Sequence, residues 1–474
     1  MSLANWNSKV IQSNLKFFII GFLTLIMLIP LVFVQGVVNE RQSYNRSARQ
    51  DISRSWGGRQ NTMGPILVVP YQVQYQDDKK KSHRKTKYHF VLPETLNING
   101  ELTPETRRRG IYEAMLYRSN MSLQGQFPSV TLKDIQALNH TESPENIRWQ
   151  DSFLALNIQD LKGLSSKQFA SSAKVNLTIE PGQLYSGLKI PLSNLKNTFS
   201  PSSIQSFPFS INLTLRGSEQ WHVHPVGKTT TVSLSSPWPS PSFDGTFLPV
   251  KRTVDKEGFT AEWDVSYFAR QFPQQWQDDT LSELGRVPSD NQPSSSAYKH
   301  YEQSISASGF GVSLFNPVDF YTQVERVIKY GILFFALTFL TFFIIELVAN
   351  VRVHLFQYVL VGLALSLFYL LLLALSEIIG FNMAYLIAAI AIIGLITYYT
   401  SGFIQQKKQL LIVTTILSAL YLYLFTLLRL EDYALLFGSL GLFVALAILM
   451  GVTRNMNWNE HANNEQSTQS TAGS

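Results

Sequence analysis

Two imidazoles two residues apart, His222 and His224, form the most suggestive pair of metal-ligating side chains in this 474-residue chain. On an extended segment that spacing puts both rings on one face. Zinc takes three or four ligands, and no third is identifiable in the sequence, so the pair predicts no metal centre. Serine chemistry is equally unsupported. Ser289-Asp290-Asn291 is present, and Ser-x-x-Lys occurs at Ser171/Lys174, Ser186/Lys189, Ser193/Lys196 and Ser296/Lys299, but the Lys-Thr-Gly element that would complete an acyl-serine set is missing. Neither a Gly-x-Ser-x-Gly elbow, a phosphate loop nor a His-Glu-x-x-His helix occurs. The absence of cysteine excludes thiol nucleophiles, thiolate metal sites and disulfides. The expectation is therefore of no catalytic residue, no metal and no cofactor.

Charge narrows the partners. The net charge of +6 invites a polyanion, but residues 39–327 hold 31 Lys+Arg against 27 Asp+Glu, which is nearly balanced. The excess lies in the tails and short loops around apolar segments, where it sets membrane orientation rather than nucleic-acid binding. The run Asp77-Asp78-Lys79-Lys80-Lys81-Ser82-His83-Arg84-Lys85-Thr86-Lys87 and the triplet Arg107-Arg108-Arg109 suit anionic head groups or wall polymers. A solvated hairpin loop accounts for the first more simply.

The elements that must position these residues are of two kinds. Six apolar segments, at 17–38, 329–348, 353–375, 383–402, 409–428 and 433–452, each approach the ~20 residues a bilayer span needs. The first has no small-residue cleavage site after it and reads as an uncleaved signal anchor. Basic residues in the loops at Arg352, Lys407-Lys408 and Arg454 face one side, while the loop around Ser376–Asn382 has none. The positive-inside rule then puts residues 1–16 and the disordered tail 453–474 in the cytoplasm and 39–328 outside. Glu346 and Glu377 lie near span ends, where a carboxylate costs little. Pairing is expected for both, Glu346 with Arg352 or His354, and Glu377 with Arg326, Lys329 or Arg429. Gly362, Ser366, Ala384, Ala388, Gly438 and Gly441 suit close helix packing. Tyr369, Tyr385, Tyr398, Tyr399, Tyr421 and Tyr423 read as lipid or interface anchors.

Residues 39–328 alternate in the manner of half-buried strands at 66–75, 88–91, 175–179, 209–215 and 229–234. Helix is expected near 41–56, 132–138 and 267–284. The fold class predicted is six membrane helices, one plus five, with a β-rich domain of two-lobed sandwich type and the Ser-rich stretch 162–206 as the lobe boundary.

Longer motifs then resemble a known family. Asp51-Ile52-Ser53-Arg54-Ser55-Trp56-Gly57-Gly58-Arg59-Gln60 leads into Thr62-Met63-Gly64-Pro65-Ile66-Leu67-Val68-Val69-Pro70-Tyr71. Further on stand Pro241-Ser242-Phe243-Asp244-Gly245-Thr246-Phe247-Leu248-Pro249 and Phe310-Gly311-Val312-Ser313-Leu314-Phe315-Asn316-Pro317-Val318-Asp319-Phe320-Tyr321. With Glu346 and Gln357-Tyr358, these resemble the CreD family of inner membrane proteins. Two positions depart from its pattern, Leu355 where His-Pro is common and Ile378 where Ser-Glu-His is common. The resemblance implies a multi-pass inner membrane protein with a periplasmic β-rich domain, linked to envelope integrity and stress responses. It implies structural roles for Trp56, Gly57, Gln60, Gly64, Pro65, Pro317 and Asp319, and supplies no reaction. The bilayer and a periplasmic protein, lipid or cell-wall polymer are the expected partners. Two other readings stand beside it. One is a transporter or channel using Glu346 and Glu377. The other is an enzyme on lipid-linked substrates, acting near Asp319, Arg326 and Glu377.

Overall fold

The computed structural model describes residues 19–76, 82–138, 144–166, 168–182, 187–195, 198–278, 305–314, 320–349, 353–404, 406–429 and 434–454. Two compact units emerge, one of Asn45–Pro317 and one of Met1–Tyr44 with Val318–Ser474.

In the helical unit, α1 (Ile19–Trp56), α5 (Leu355–Ile379), α6 (Phe381–Ser401) and α7 (Lys407–Arg429) are each long and apolar enough to cross a bilayer. The pair α3 (Phe320–Lys329) and α4 (Gly331–Ala349) is bent by 46° at its break and makes a fifth if taken as one span. The last apolar segment is helical as α8 (Ala434–Arg454). Small residues set the packing. A Cβ on Gly362 would lie 2.6 Å from the Met27 sulfur, and one on Gly331 would lie 2.8 Å from Leu31. Inside runs a chain of edge-on aromatic rings, Phe334, Phe368, Tyr385 and Tyr421, with centroids 4.6 to 5.4 Å apart along it. Tyr369, Tyr385 and Tyr421 are buried there, so the anchor expectation fails for these three; Tyr398, at 81% exposure, keeps an outward position. A tyrosine face packs as well against a neighbouring helix as against lipid, and composition does not distinguish the two.

The other unit is β-rich. Among its described residues, one sheet has ten strands and a second has eight. The organising strand of the first is Gln60–Gln76, which runs parallel to Gln220–Val223 and antiparallel to Phe153–Ile158 and Ser82–Val91. Ile66, Leu67, Val68 and Val69 are all fully buried, the mark of a strand covered on both faces. The eight-stranded sheet instead alternates along much of its length. Thr95–Arg109 begins exposed-buried-exposed-buried, and Phe259–Ser266 runs buried-exposed throughout. Its inward residues, Leu96, Ile98, Leu123, Ile211, Leu234 and Trp263, join those of the first sheet in one apolar cluster. Burial of each such large side chain contributes about 1.5–3 kcal/mol.

That single cluster replaces the expected two lobes. The Ser-rich stretch 162–206 is no boundary, since Phe169–Ser172 joins the eight-stranded sheet and Gly187–Pro191 the ten-stranded one. The helices at 41–56 and 132–138 are present, the latter as α2 (Leu132–Leu138). The one expected at 267–284 is not. A short 3-10 turn at Tyr267–Ala269 is followed by the strand Gln275–Asp278, whose Trp276 stacks on Phe90 at 5.1 Å. Residues 279–284 lie outside the described set.

Gly57 sits at φ +136°, and a Cβ there would lie 2.7 Å from the Arg216 carbonyl oxygen and 2.7 Å from Gly163 Cα. Gly57→Ala is therefore expected to cost about 1–3 kcal/mol. Gly58→Ala, whose Cβ would meet Asp160 only at 3.4 Å, should stay within about 0.5 kcal/mol of the parent. Denaturant midpoints by tryptophan fluorescence on the full chain in detergent check both; equal midpoints would contradict the crowding argument.

Candidate functional site

The residues singled out in the sequence fall into separate places. Pro317 and Asp319 lie outside the described residues, so the grouping of Asp319 with Arg326 and Glu377 has no geometry to support it. Glu346 accepts a hydrogen bond from Tyr358 Oη at 3.2 Å, and Glu377 accepts one from Tyr321 Oη at 3.0 Å. The partners seen for the two carboxylates are therefore hydroxyls, Tyr358 and Tyr321, both buried, while the expected Arg352 lies outside the described residues. His354 instead heads α5, its N–H donating to Gln357 Oε1 at 2.8 Å, while Lys329 pairs with Glu325 at 3.0 Å and Arg429 stacks on Phe425. Tyr358 and Glu377 stand near opposite ends of α5, roughly 28 Å apart at 1.5 Å per residue. The two carboxylates thus belong to two separate pairs. One pair joins Tyr321 to Glu377 and the other Glu346 to Tyr358. Ile378, at 78% exposure, points away from the first.

The opening motif builds a knot of backbone. The Gln60 side chain, 1% exposed, donates to the carbonyls of Asp160 at 3.0 Å and Arg216 at 2.9 Å. The Gly58 N–H donates to Asp160 Oδ2 at 2.9 Å. Trp56 is capped by three guanidinium groups, with Arg107 at 4.2 Å, Arg216 at 5.0 Å and Arg118 at 5.5 Å from the ring. Gly64 takes φ +121° before the cis bond to Pro65, where the register of the strand shifts against Phe153–Ile158. These contacts hold strands together rather than open a cleft.

His222 and His224 share a face, as their spacing predicts, yet serve different partners. His222 Nε2 lies 2.6 Å from Asp244 Oδ1, and the other carboxylate oxygen accepts from Ser313 Oγ at 2.6 Å. This reach across two strand spacings exists because Gly311, paired with both residues in the strand between them, has no side chain in the way. Sequence reasoning missed it because the partners are 22 and 91 positions away. The glycine and aspartate in two family motifs were the available signal. The order is Ser–Asp–His, with the carboxylate between hydroxyl and imidazole. Acyl transfer needs the imidazole on the hydroxyl, so this cluster is wired as a clamp. His224 is buried, with Nδ1 3.4 Å from Ser308 Oγ. Among the described residues no group of three or more His, Asp or Glu is arranged to hold a metal ion.

One open feature of this unit is a trough of about 720 Å³ on the exposed face of the eight-stranded sheet; another, of about 750 Å³, lies along the ten-stranded sheet beside Pro70, Tyr88, Phe153 and Lys189. Asn99, Asn120, Ser122, Asn212, Ser233 and Ser235 face the first. Nothing in the sequence drew attention to it, because its side chains come from separate strands and meet only through register.

Burial lowers the pKa of both His224 and His89 from 6.5 to about 4, with repulsion from His222 adding to the effect at His224. Below pH 6.5 the unfolded chain binds these protons and the folded chain does not. Stability therefore falls as pH drops from 6.5 to about 4 and levels off below that. At about 1.4 kcal/mol per pKa unit, the two together remove several kcal/mol. A His89→Gln/His224→Gln double variant should lose most of the difference in urea midpoint between pH 7 and pH 5; an unchanged difference would place the acid sensitivity elsewhere.

Comparison with known proteins now bears on the whole chain. The family model described as "Inner membrane protein CreD" matches residues 12–459. The inner membrane protein CreD of Escherichia coli (strain K12) is 34% identical over 444 residues, covering 92% of this chain and 91% of its own. Apolar helices of spanning length, a large β-rich unit, and a match of this extent agree: the chain belongs to the CreD family of inner membrane proteins.

Proposed function

We propose that this is a six-span inner membrane protein, both termini cytoplasmic and residues 39–328 periplasmic, which supports envelope integrity or the response to envelope stress. Its β-rich unit acts as an interaction module rather than an enzyme. The observation that carries this reading is the broad trough on a unit whose core is otherwise closed. The Ser313, Asp244 and His222 cluster is spent on joining three strands. The loop charges support the orientation, through the positive-inside rule. The transporter reading would need Glu346 and Glu377 to act on cargo. Each instead receives a tyrosine hydroxyl within the bundle, which supports a structural role.

The cysteine-free chain offers a direct test of orientation. In cells with a permeabilised outer membrane, Lys251→Cys should react with an impermeant maleimide, and Lys408→Cys should react only after the inner membrane is opened. The reverse pattern would overturn the periplasmic assignment. For function, Glu346→Gln and Glu377→Gln, which keep an acceptor for each tyrosine, should complement a deletion strain under envelope stress at close to parental level. Loss of complementation with normal protein in the membrane would favour transport.

A further inference from the structure

We infer that the trough on the eight-stranded sheet binds a neutral, N-acetylated, β-linked glycan strand of the kind that builds a cell wall. This rests on the reading of the β-rich unit as a periplasmic interaction module and names its ligand.

Register makes the surface. Glu262 pairs with Ser233, Ser233 with Asn99, Asn99 with Ser122, Ser122 with Asn212, and Asn212 with Phe169. These six residues form one straight row over six neighbouring strands, roughly 24 Å long at ~4.8 Å per step. A second row runs beside it through Ser235, Glu101, Asn120 and Thr214. A third passes through Thr231, Asn97, Gln124 and Ser210. The strand spacing is close to the length of one pyranose ring, so successive sugars of an extended chain would meet successive strands.

The chemistry of the rows selects among ligands. They hold amides and hydroxyls, which both donate and accept, with the Glu101 carboxylate as a further acceptor and the Glu262 carboxylate paired with Lys251 at 3.4 Å. That is the complement of sugar hydroxyls and acetamido groups. As far as the strand Phe259–Ser266 the rows contain no Lys or Arg; on the next strand Lys251 pairs with Glu262, its Nζ 3.4 Å from the carboxylate, which leaves no run of free cations in the rows for phosphate, anionic lipid or nucleic acid. Protein partners favour surfaces rich in aromatic residues, Met and Arg and poor in Ser, the opposite of this face. The end of the central row supplies the one apolar platform a sugar ring can use, Phe169, at 46% exposure. Two amides are held ready: Thr214 Oγ1 donates to Asn120 Oδ1 at 3.2 Å and Thr231 Oγ1 to Asn97 Oδ1 at 2.5 Å, turning the NH2 groups toward a ligand. Side chains fixed before binding lose less entropy on binding. The volume, about 720 Å³, falls in the range of ligand sites.

The test uses the full chain in lipid nanodiscs and a fluorescent β-1,4-linked N-acetylglucosamine hexamer. Saturable binding is expected, and Ser122→Arg/Asn212→Arg, which fills the centre of the row from its solvent side, should weaken it on the order of tenfold or more. The urea midpoint of that variant should match the parent, which separates lost binding from lost folding. No saturable binding of the hexamer, or equal affinity in parent and variant, overturns the inference. So does binding of anionic phospholipid vesicles at this face with none of the hexamer. Maleimide labelling at Lys251→Cys separates the two levels. Periplasmic labelling without hexamer binding sinks the glycan alone, whereas cytoplasmic labelling sinks the module reading beneath it.

Discussion

Three stretches of backbone converge on the Gln60 side chain, and the β-rich unit depends on that meeting. Residues 56–60 arrive at the end of α1, 160–163 form a tight turn, and 216–218 end a strand of the other sheet. Gln60 satisfies carbonyls from both of the latter while almost fully removed from water. A buried carbonyl without a partner costs about as much as a lost hydrogen bond, so one amide stabilises two chain reversals. Glycine at 57, 163 and 217 is the condition for the approach, since a Cβ at any of them would strike a neighbouring backbone or ring. The guanidinium groups stacked on Trp56 cover the outside of the knot.

From this knot the two sheets diverge in character. The ten-stranded sheet is buried on both faces along Ile66–Val69 and carries its polar groups as internal ties, such as His222 to Asp244 across Gly311. The eight-stranded sheet keeps one face in the core and gives the other to solvent. That second sheet offers an open polar face, and its rows of short polar side chains follow from alternation in strands of matched register.

Much of this architecture was legible in the chain, for definable reasons. A run of ~20 apolar residues has few fates, so the segments at 17–38, 353–375, 383–402 and 409–428 coincide with helices of spanning length. Alternation at 209–215 and 229–234 marks strands because period two has no other common cause. What failed was anything set by a third dimension. Tyr369, Tyr385 and Tyr421 looked like lipid anchors because hydropathy does not record which way a helix faces. The segment 267–284 looked helical, yet Gln275–Asp278 takes an edge pairing with Ser82–Val91 that outweighs local propensity. The carboxylates were seen, but their tyrosine partners were not, since Glu346 and Glu377 each look across to another element.

The register described for the ten-stranded sheet also places the chain's way in beside its way out. Gln60 pairs with Trp221, and Trp221 with Val312, so the first and last long-range strands of the unit lie two spacings apart, roughly 10 Å. A body whose ends are neighbours can be spliced into a host chain without forcing the host apart. The β-rich unit has the geometry of an insertion, able in evolution to be gained, exchanged or lost as one piece between two membrane helices. Its open polar face would then diverge on a different schedule from the bundle that carries it.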